Sequence, residues 1–212
     1  MMKMLEKVSS HEQFSQEMKD HKMTVILDTD THKQLSFSGD DFEHAFSIVA
    51  FPYHIMIVGD MGCYTFSRTK DMLRWFVKDA GKALERPEIE LSRWRNKLVS
   101  VDSQLGVVTK SLRLLVEHVE ECKSSFLERY PDEAKHIEEE FDTLLQSRDD
   151  GVEMLLCEMY LFEITLDGED FHLSQDFDDE DIEVYVSQFA WCCYALNFGV
   201  GMYLESKHLE AK

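Results

Sequence analysis

Six consecutive residues, Asp176-Phe177-Asp178-Asp179-Glu180-Asp181, place carboxylate oxygens at alternate positions, as the calcium loop of an EF-hand does. An EF-hand loop also has glycine at its sixth position and glutamate at its twelfth, where this chain has Asp181 and Ser187. Acids that precede a helix favour the positive end of the helix dipole. We therefore interpret the run as a solvated loop and predict no metal site.

A second place for chemistry is the turn from Gly59 to Gly62, which joins two β-rich runs as a hairpin. Asp60 in this turn and His54 in the preceding strand could serve a small ligand or a reaction. The chain contains no glycine-rich nucleotide fingerprint, no His-Glu-x-x-His and no Cys-x-x-Cys. We predict no cofactor, and we keep an accessory enzyme or small-ligand site at this hairpin as an alternative.

Carboxylates are densest between residues 131 and 183. A helix predicted over residues 131–147 carries six acids against Lys135, a net charge of −5. These charges span about 15 Å of helix, which is roughly one charge per 3 Å and similar to one DNA strand. Two or three such elements side by side could imitate a duplex backbone. The predicted partner-binding residues are Asp132, Glu133, Glu138, Glu139, Glu140, Asp142, Asp149, Asp150, Glu153, Asp176, Asp178, Asp179, Glu180, Asp181 and Glu183.

The net charge of the 212-residue chain is −20, and it is unevenly distributed. Residues 1–110 hold 16 acids and 15 bases, whereas residues 111–212 hold 26 acids and 7 bases. An acidic surface attracts basic surfaces and repels nucleic acid and anionic membranes. The charge predicts a protein partner with a basic surface, no direct nucleic-acid binding and no membrane binding. With about equal weight, the acidity could serve solubility alone.

Hydrophobic periodicity predicts strands early in the chain and helices late. The predicted strands are residues 23–27, 34–38, 44–51, 53–58 and 63–67, and the predicted helices include 88–100, 109–128, 131–147, 152–166 and 182–204. This segregation predicts the α+β class, with an N-terminal antiparallel sheet of about four to five strands followed by a largely helical half. We expect residues 1–110 to form the sheet with packing helices. We expect residues 111–212 to form an acidic helical region packed on that sheet as one compact unit.

The stretch from Val184 to Leu204 has 21 residues without a charge, long enough to span a bilayer. The alternative is a core helix that is surrounded by protein. We favour the core helix, because polar residues and glycines dilute the apolar run and no cluster of positive charge flanks it.

Five cysteines, an odd number without a metal-binding spacing, indicate reduced thiols, and the first ten residues lack the apolar core of a signal peptide. We therefore expect a cytoplasmic protein.

One block, FPYHIMIVGDMGCYTFSR from Phe51 to Arg68 followed by KDMLRWF, resembles a family of phage and prophage proteins. That family carries a P-x-H…GDMG…FSR…DMF pattern, and the resemblance continues at WRNKLVSVD, FHLS and FAWCCYAL. Two positions depart from the pattern: Tyr53 stands where glycine is usual, and Asn197 begins a segment where a Trp-Gly pair is common. No settled activity is attached to the family, so the resemblance implies no catalytic residue.

The resemblance implies a bacterial cytoplasm during phage infection or lysogeny. Together with the acidic surface, it leads to the hypothesis of a non-enzymatic inhibitor of a host defence complex, of the anti-CRISPR or anti-restriction type. Such an inhibitor would present a DNA-mimicking carboxylate surface to a host protein with a basic nucleic-acid-binding surface. Self-association is left open, as is a housekeeping or assembly role with incidental acidity.

Overall fold

Six antiparallel strands form the main sheet, and their order in the sheet is their order in the chain. The structure is a computed structural model. It describes residues 11–77, 89–104 and 106–210, apart from the side chains of His11, Asp176 and Glu210. The strands are β1 (Lys22–Asp28), β2 (Lys33–Ser38), β3 (Phe46–Phe51), β4 (His54–Gly59), β5 (Gly62–Ser67) and β6 (Leu98–Ser100). A mostly helical C-terminal half follows this sheet, so the predicted α+β class is confirmed.

Alternation of apolar and polar residues explains why these segments are strands with one buried face. Leu35, Ile48, Ile57 and Tyr64 lie side by side across β2 to β5, and all four are fully buried. On each of these strands, the residues directly before and after the buried one point to the other face and are partly exposed, so the sheet covers a core on one face only. The first five strands match the predicted segments to within two residues at each end.

The chain divides into two compact units. The acidic unit, as we call it, is Val108–Val184. The sheet unit comprises the described residues before Val108 together with residues 185–210. Besides the main sheet, the sheet unit contains the helices α1 (His11–Glu17), α2 (Met72–Phe76) and α3 (Leu91–Arg95). The sequence also predicts a short polar N-terminal helix over residues 2–20, of which residues 2–10 lie outside the described residues.

Three helices make up most of the acidic unit: α4 (Leu112–Arg129), α5 (Ala134–Gln146) and α6 (Val152–Leu161). Each packs against the other two, around a core that includes Val119 from α4, Phe141 from α5 and Leu155 from α6. Helix α4 begins at a capping serine, because the buried Ser111 hydroxyl oxygen accepts a hydrogen bond from the Leu114 amide at 3.3 Å.

Short strands account for the differences from the predicted helices. These strands are β7 (Val108–Lys110), β8 (Glu163–Leu166), β9 (Glu169–His172) and β10 (Glu183–Tyr185). Strands β8 and β9 form a hairpin, and β7 pairs with β10. The predicted helix over 152–166 was therefore wrong after Leu161, and the one over 88–100 was wrong at β6. The polarity of residues 171–181 predicts a loop there, which is wrong at its start, because β9 continues to His172, and the rest consists largely of short 3-10 turns.

The last helix, α7 (Ser187–Glu210), is the predicted core helix, displaced by several residues toward the C-terminus. Its side chains from Phe189 to Leu196 are almost all buried, which explains an apolar composition on every face of the helix. It packs on the buried face of the main sheet at Gly199, where an added Cβ would lie 2.6 Å from Ile48 Cδ1. Within the described part of the chain, no helix is long and apolar enough to cross a membrane.

Candidate acidic interaction surface

All of the predicted partner-binding carboxylates fall within one structural unit, the acidic unit, although they come from several elements. Asp132 and Glu133 lie in a 3-10 turn before α5, and Glu138 to Asp142 lie on α5 itself. Asp149 and Asp150 end the following 3-10 turn, and Glu153 is in the first turn of α6. The remaining ones occupy the 3-10 turns Leu173–Asp176 and Asp179–Ile182, their linker and strand β10.

The two units differ sharply in charge. The segment Val108–Val184 contains 24 acids and 6 bases, a net charge of −18, and the rest of the chain carries −2. The fold sharpens the asymmetry seen along the sequence, because the nearly uncharged helix α7 belongs to the sheet unit. Almost the whole net negative charge of the protein is therefore carried by 77 residues.

Helix α5 presents its carboxylates over the half that faces away from the core. Ile137, Phe141, Leu144 and Leu145 form its buried stripe. At 3.6 residues per turn, Glu138 and Asp142 lie on one flank of that stripe, Glu140 lies on the other flank, and Glu139 points outward between them. All four carboxylates are exposed. The arrangement spreads negative charge around the solvent side of the helix.

Some of these carboxylates already pair with cations of the same unit. Lys123 on α4 contacts Asp142 at 2.6 Å, and its own side chain is only 16% exposed. Lys135 contacts Glu139 at 3.4 Å, but both side chains are largely exposed, so this pair contributes little. The Lys123 pair removes one charge from the predicted net of −5, which leaves about one charge per 4 Å along the helix.

Asp179 is partly exposed and is held in position by two partners. Its carboxylate accepts a hydrogen bond from Tyr160 Oη at 2.6 Å and pairs with Lys110 Nζ at 2.8 Å. The Lys110 ammonium, and then the Tyr160 hydroxyl, lower the pKa of Asp179. The same contacts raise the pKa of Lys110 and of Tyr160. Asp179 therefore serves the folding of this unit, and its charge is largely neutralised by Lys110.

Two other predicted residues stabilise turns. A Glu133 carboxylate oxygen accepts a hydrogen bond from the Asp167 amide at 2.7 Å, beside the β8–β9 hairpin. The Asp178 carboxylate accepts one from the Glu180 amide at 3.0 Å, at the start of a 3-10 turn. In both contacts the donor is an uncharged backbone amide, so these contacts position the carboxylates without adding a cation.

The acidic stretch predicted at residues 131–183 also contains exposed acids at the end of α6 and on the β8–β9 hairpin, namely Glu158, Glu163, Asp167, Glu169 and Asp170. The sequence prediction missed the exposed acids of helix α4, which packs against α5, namely Glu117, Glu120, Glu121 and Glu128. The signal for them was the net charge of the whole segment rather than local density. No group of side chains among the described residues of the unit is arranged to hold a metal ion.

At the Gly59 to Gly62 hairpin, where the alternative site was predicted, Asp60 has a structural role. The Asp60 carboxylate accepts a hydrogen bond from the Ala45 amide at 3.2 Å, and the Asp60 amide donates to the Ala45 carbonyl at 3.1 Å. His54 lies at the opposite end of β4, where its ring stacks on Phe51. Asp60 and His54 are therefore not brought together, because a whole strand separates them.

A scan of protein-family models, a search of curated proteins and a search of solved structures each find no match to this chain. The resemblance to phage and prophage proteins accordingly stays a prediction.

Proposed function

We propose that this protein is an acidic inhibitor that binds a host nucleic-acid-binding protein through the acidic unit. In this proposal the target belongs to a bacterial defence complex of the anti-CRISPR or anti-restriction type, and the protein acts in the host cytoplasm during phage infection. The observation that carries the proposal is the net charge of −18 on Val108–Val184, against −2 on the rest of the chain.

Confining the charge to one unit has an energetic cost that a binding role accounts for. Like charges at helical spacing repel one another and destabilise the folded unit. A protein that needs only solubility gains as much from charges spread over its whole surface. Within the acidic unit, Glu138 and Asp142 are like charges one helical turn apart, and Lys123 reaches only the second of them.

The spacing of the charges agrees with a polyanion. Helix α5 and the turn before it carry about one net charge per 4 Å after the Lys123 pair is subtracted. One strand of duplex DNA carries one charge per 3.4 Å. Helix α4 packs beside α5 and adds exposed acids such as Glu120 and Glu121. A surface that binds phosphates with lysine and arginine would therefore meet a similar charge density here.

The test is a capture experiment with the intact chain as bait in nuclease-treated bacterial lysate, at low and at high salt. The perturbed variant combines Glu138→Lys, Glu139→Lys and Glu140→Lys, three exposed residues outside the buried stripe of α5. An exposed ion pair contributes up to about 1 kcal/mol, so losing three should weaken capture by about 10-fold to 100-fold. High salt should weaken capture of the wild type as well.

The matched control combines Glu12→Lys, Asp20→Lys and Glu43→Lys in the sheet unit. These residues are exposed too, and the change in net charge is the same. The proposal predicts that the control captures the same nucleic-acid-binding proteins as the wild type. Equal capture by all three baits, or equal losses for both variants, would show that the acidic unit is not the binding surface.

A further inference from the structure

A cavity of about 450 Å³ lies in the sheet unit, and no residue of the acidic unit lines it. Its walls come from the β1–β2 turn, the β3–β4 turn, helix α2 and the C-terminal part of α7. Both turns lie at the same end of the antiparallel sheet, which brings these four segments together. The volume lies within the range of pockets that bind small organic molecules.

The inner surface of the cavity is apolar. Ala50, Met72 and Leu73 line it and are each at most 8% exposed, and the Tyr203 ring is also buried. Phe51, at the end of β3, contributes an aromatic side chain that is partly exposed. This surface suits a flat apolar group, because such a group would exclude water from the apolar side chains of the wall.

Four cations line the same cavity: Lys33, Lys70, Arg74 and Lys207. Lys33 and Lys207 share the single carboxylate of Asp28, each at 3.0 Å, so one carboxylate faces two ammonium groups. The other two acids are Asp30 and Asp71, which also line the cavity. Four cations and three acids leave an excess of one positive charge, in a protein whose net charge is −20.

Lys70 provides an accessible charge for a ligand. Its side chain is exposed and makes no ion pair with the described residues, whereas Arg74 pairs with Asp71 at 3.4 Å. Lys33, whose side chain is only 18% exposed, is fixed by its contact with Asp28. The cavity thus has three cations that ion pairs hold in place, and a fourth, Lys70, that can turn toward a bound anion.

We propose that this cavity binds a small molecule with a flat apolar body and one anionic group. The apolar wall accounts for the body and the excess positive charge for the anion. The inference is independent of the proposed function, because it concerns other residues in the other unit. It also differs from the hairpin alternative, since Asp60 and Gly62 do not line the cavity.

The experiment is a titration of the full chain, labelled with ¹⁵N, followed by amide chemical shifts. The probes are 2-naphthoate, 2-naphthyl phosphate and the neutral 2-naphthamide. We expect the two anions to shift the amides of Thr31, Lys70 and Leu204, which line the cavity, with dissociation constants of about 1 mM or below. Stronger binding of one anion would identify the natural anionic group as carboxylate or phosphate.

Lys70→Gln should weaken the binding of both anions about fivefold, the effect of one partly screened charge contact, and leave the neutral amide unchanged. Lys22→Gln is the matched control, because the Lys22 side chain is 80% exposed and pairs with the exposed Asp40 at 3.7 Å. The unchanged spectrum of each free variant shows that it folds. Equal binding of all three probes, shifts confined to other residues, or no shifts at all would overturn the proposal.

Discussion

The carboxylate of Asp28, at the end of β1, is the centre of a network of polar contacts, and the contribution of this network to stability can be predicted. It contacts Lys33 at 3.0 Å, Lys207 at 3.0 Å and the Tyr203 hydroxyl at 3.0 Å. Lys33 begins β2, and the other two residues lie on α7. The hydrogen bonds from Lys207, and then from Lys33, lower the pKa of Asp28 from its ordinary 3.8 to about 2.

Because the pKa is lower in the folded state, the charged form of Asp28 stabilises the fold. A decrease from 3.8 to about 2 corresponds to about 2.4 kcal/mol. The residue is more than a third exposed, so solvent screening reduces this figure to about 1 kcal/mol. The contribution is complete above about pH 4, half lost near pH 3 and almost absent at pH 2.

Urea unfolding of Asp28→Asn followed by tryptophan fluorescence tests this prediction. Trp75, Trp94 and Trp191 all belong to the sheet unit, so their fluorescence follows the unit that contains the network. At pH 7 the variant should lose about 1 kcal/mol of unfolding free energy, and the difference should shrink as the pH falls from 4 to 3. Asp40→Asn, on a fully exposed ion pair, should have no measurable effect. A loss for Asp28→Asn that is equal at pH 7 and pH 3 would refute the reasoning.

Three further substitutions test how the fold positions its elements. Gly199→Ala places a Cβ 2.6 Å from Ile48 Cδ1, so it should cost about 1 to 3 kcal/mol of unfolding free energy through overpacking, measured by the same fluorescence assay. Ser111→Ala removes the cap that accepts from the Leu114 amide and should cost about 1 kcal/mol, seen as faster amide exchange in the first turn of α4. Asp60→Ala should lower the unfolding free energy by about 1 kcal/mol without changing the binding of 2-naphthoate. Loss of that binding would support the alternative of a small-ligand site at the Gly59 to Gly62 hairpin.

The first five strands were predictable because each has enough residues for alternation to be visible. Leu35 and Phe37 alternate with polar neighbours on β2, and the turn between Gly59 and Gly62 marks a hairpin. Strands β6 to β10 have three or four residues, which is too few for a period of two to be distinguished from a helical pattern. Ile164 and Leu166 on β8 continue the apolar pattern of α6, and the predicted helix therefore extended over them.

The candidate surface could be predicted as a segment but not as a set of contacts. Local charge density identified helix α5 and the run from Asp176 to Asp181. It gave no sign that Lys123 and Lys110, distant in sequence, pair with Asp142 and Asp179. The cavity of the sheet unit also had no sequence signature, because its lining residues come from four separated segments and only the fold brings them together.

Competition with nucleic acid tests the central claim most directly. A host protein captured by the wild type is purified, and its binding to this chain is measured with and without a short duplex DNA. If the acidic unit, with its net charge of −18, occupies the nucleic-acid site, the two ligands should exclude each other. The apparent dissociation constant of the chain should then rise linearly with the concentration of free DNA. A ternary complex, with the affinity unchanged at saturating DNA, would contradict DNA mimicry.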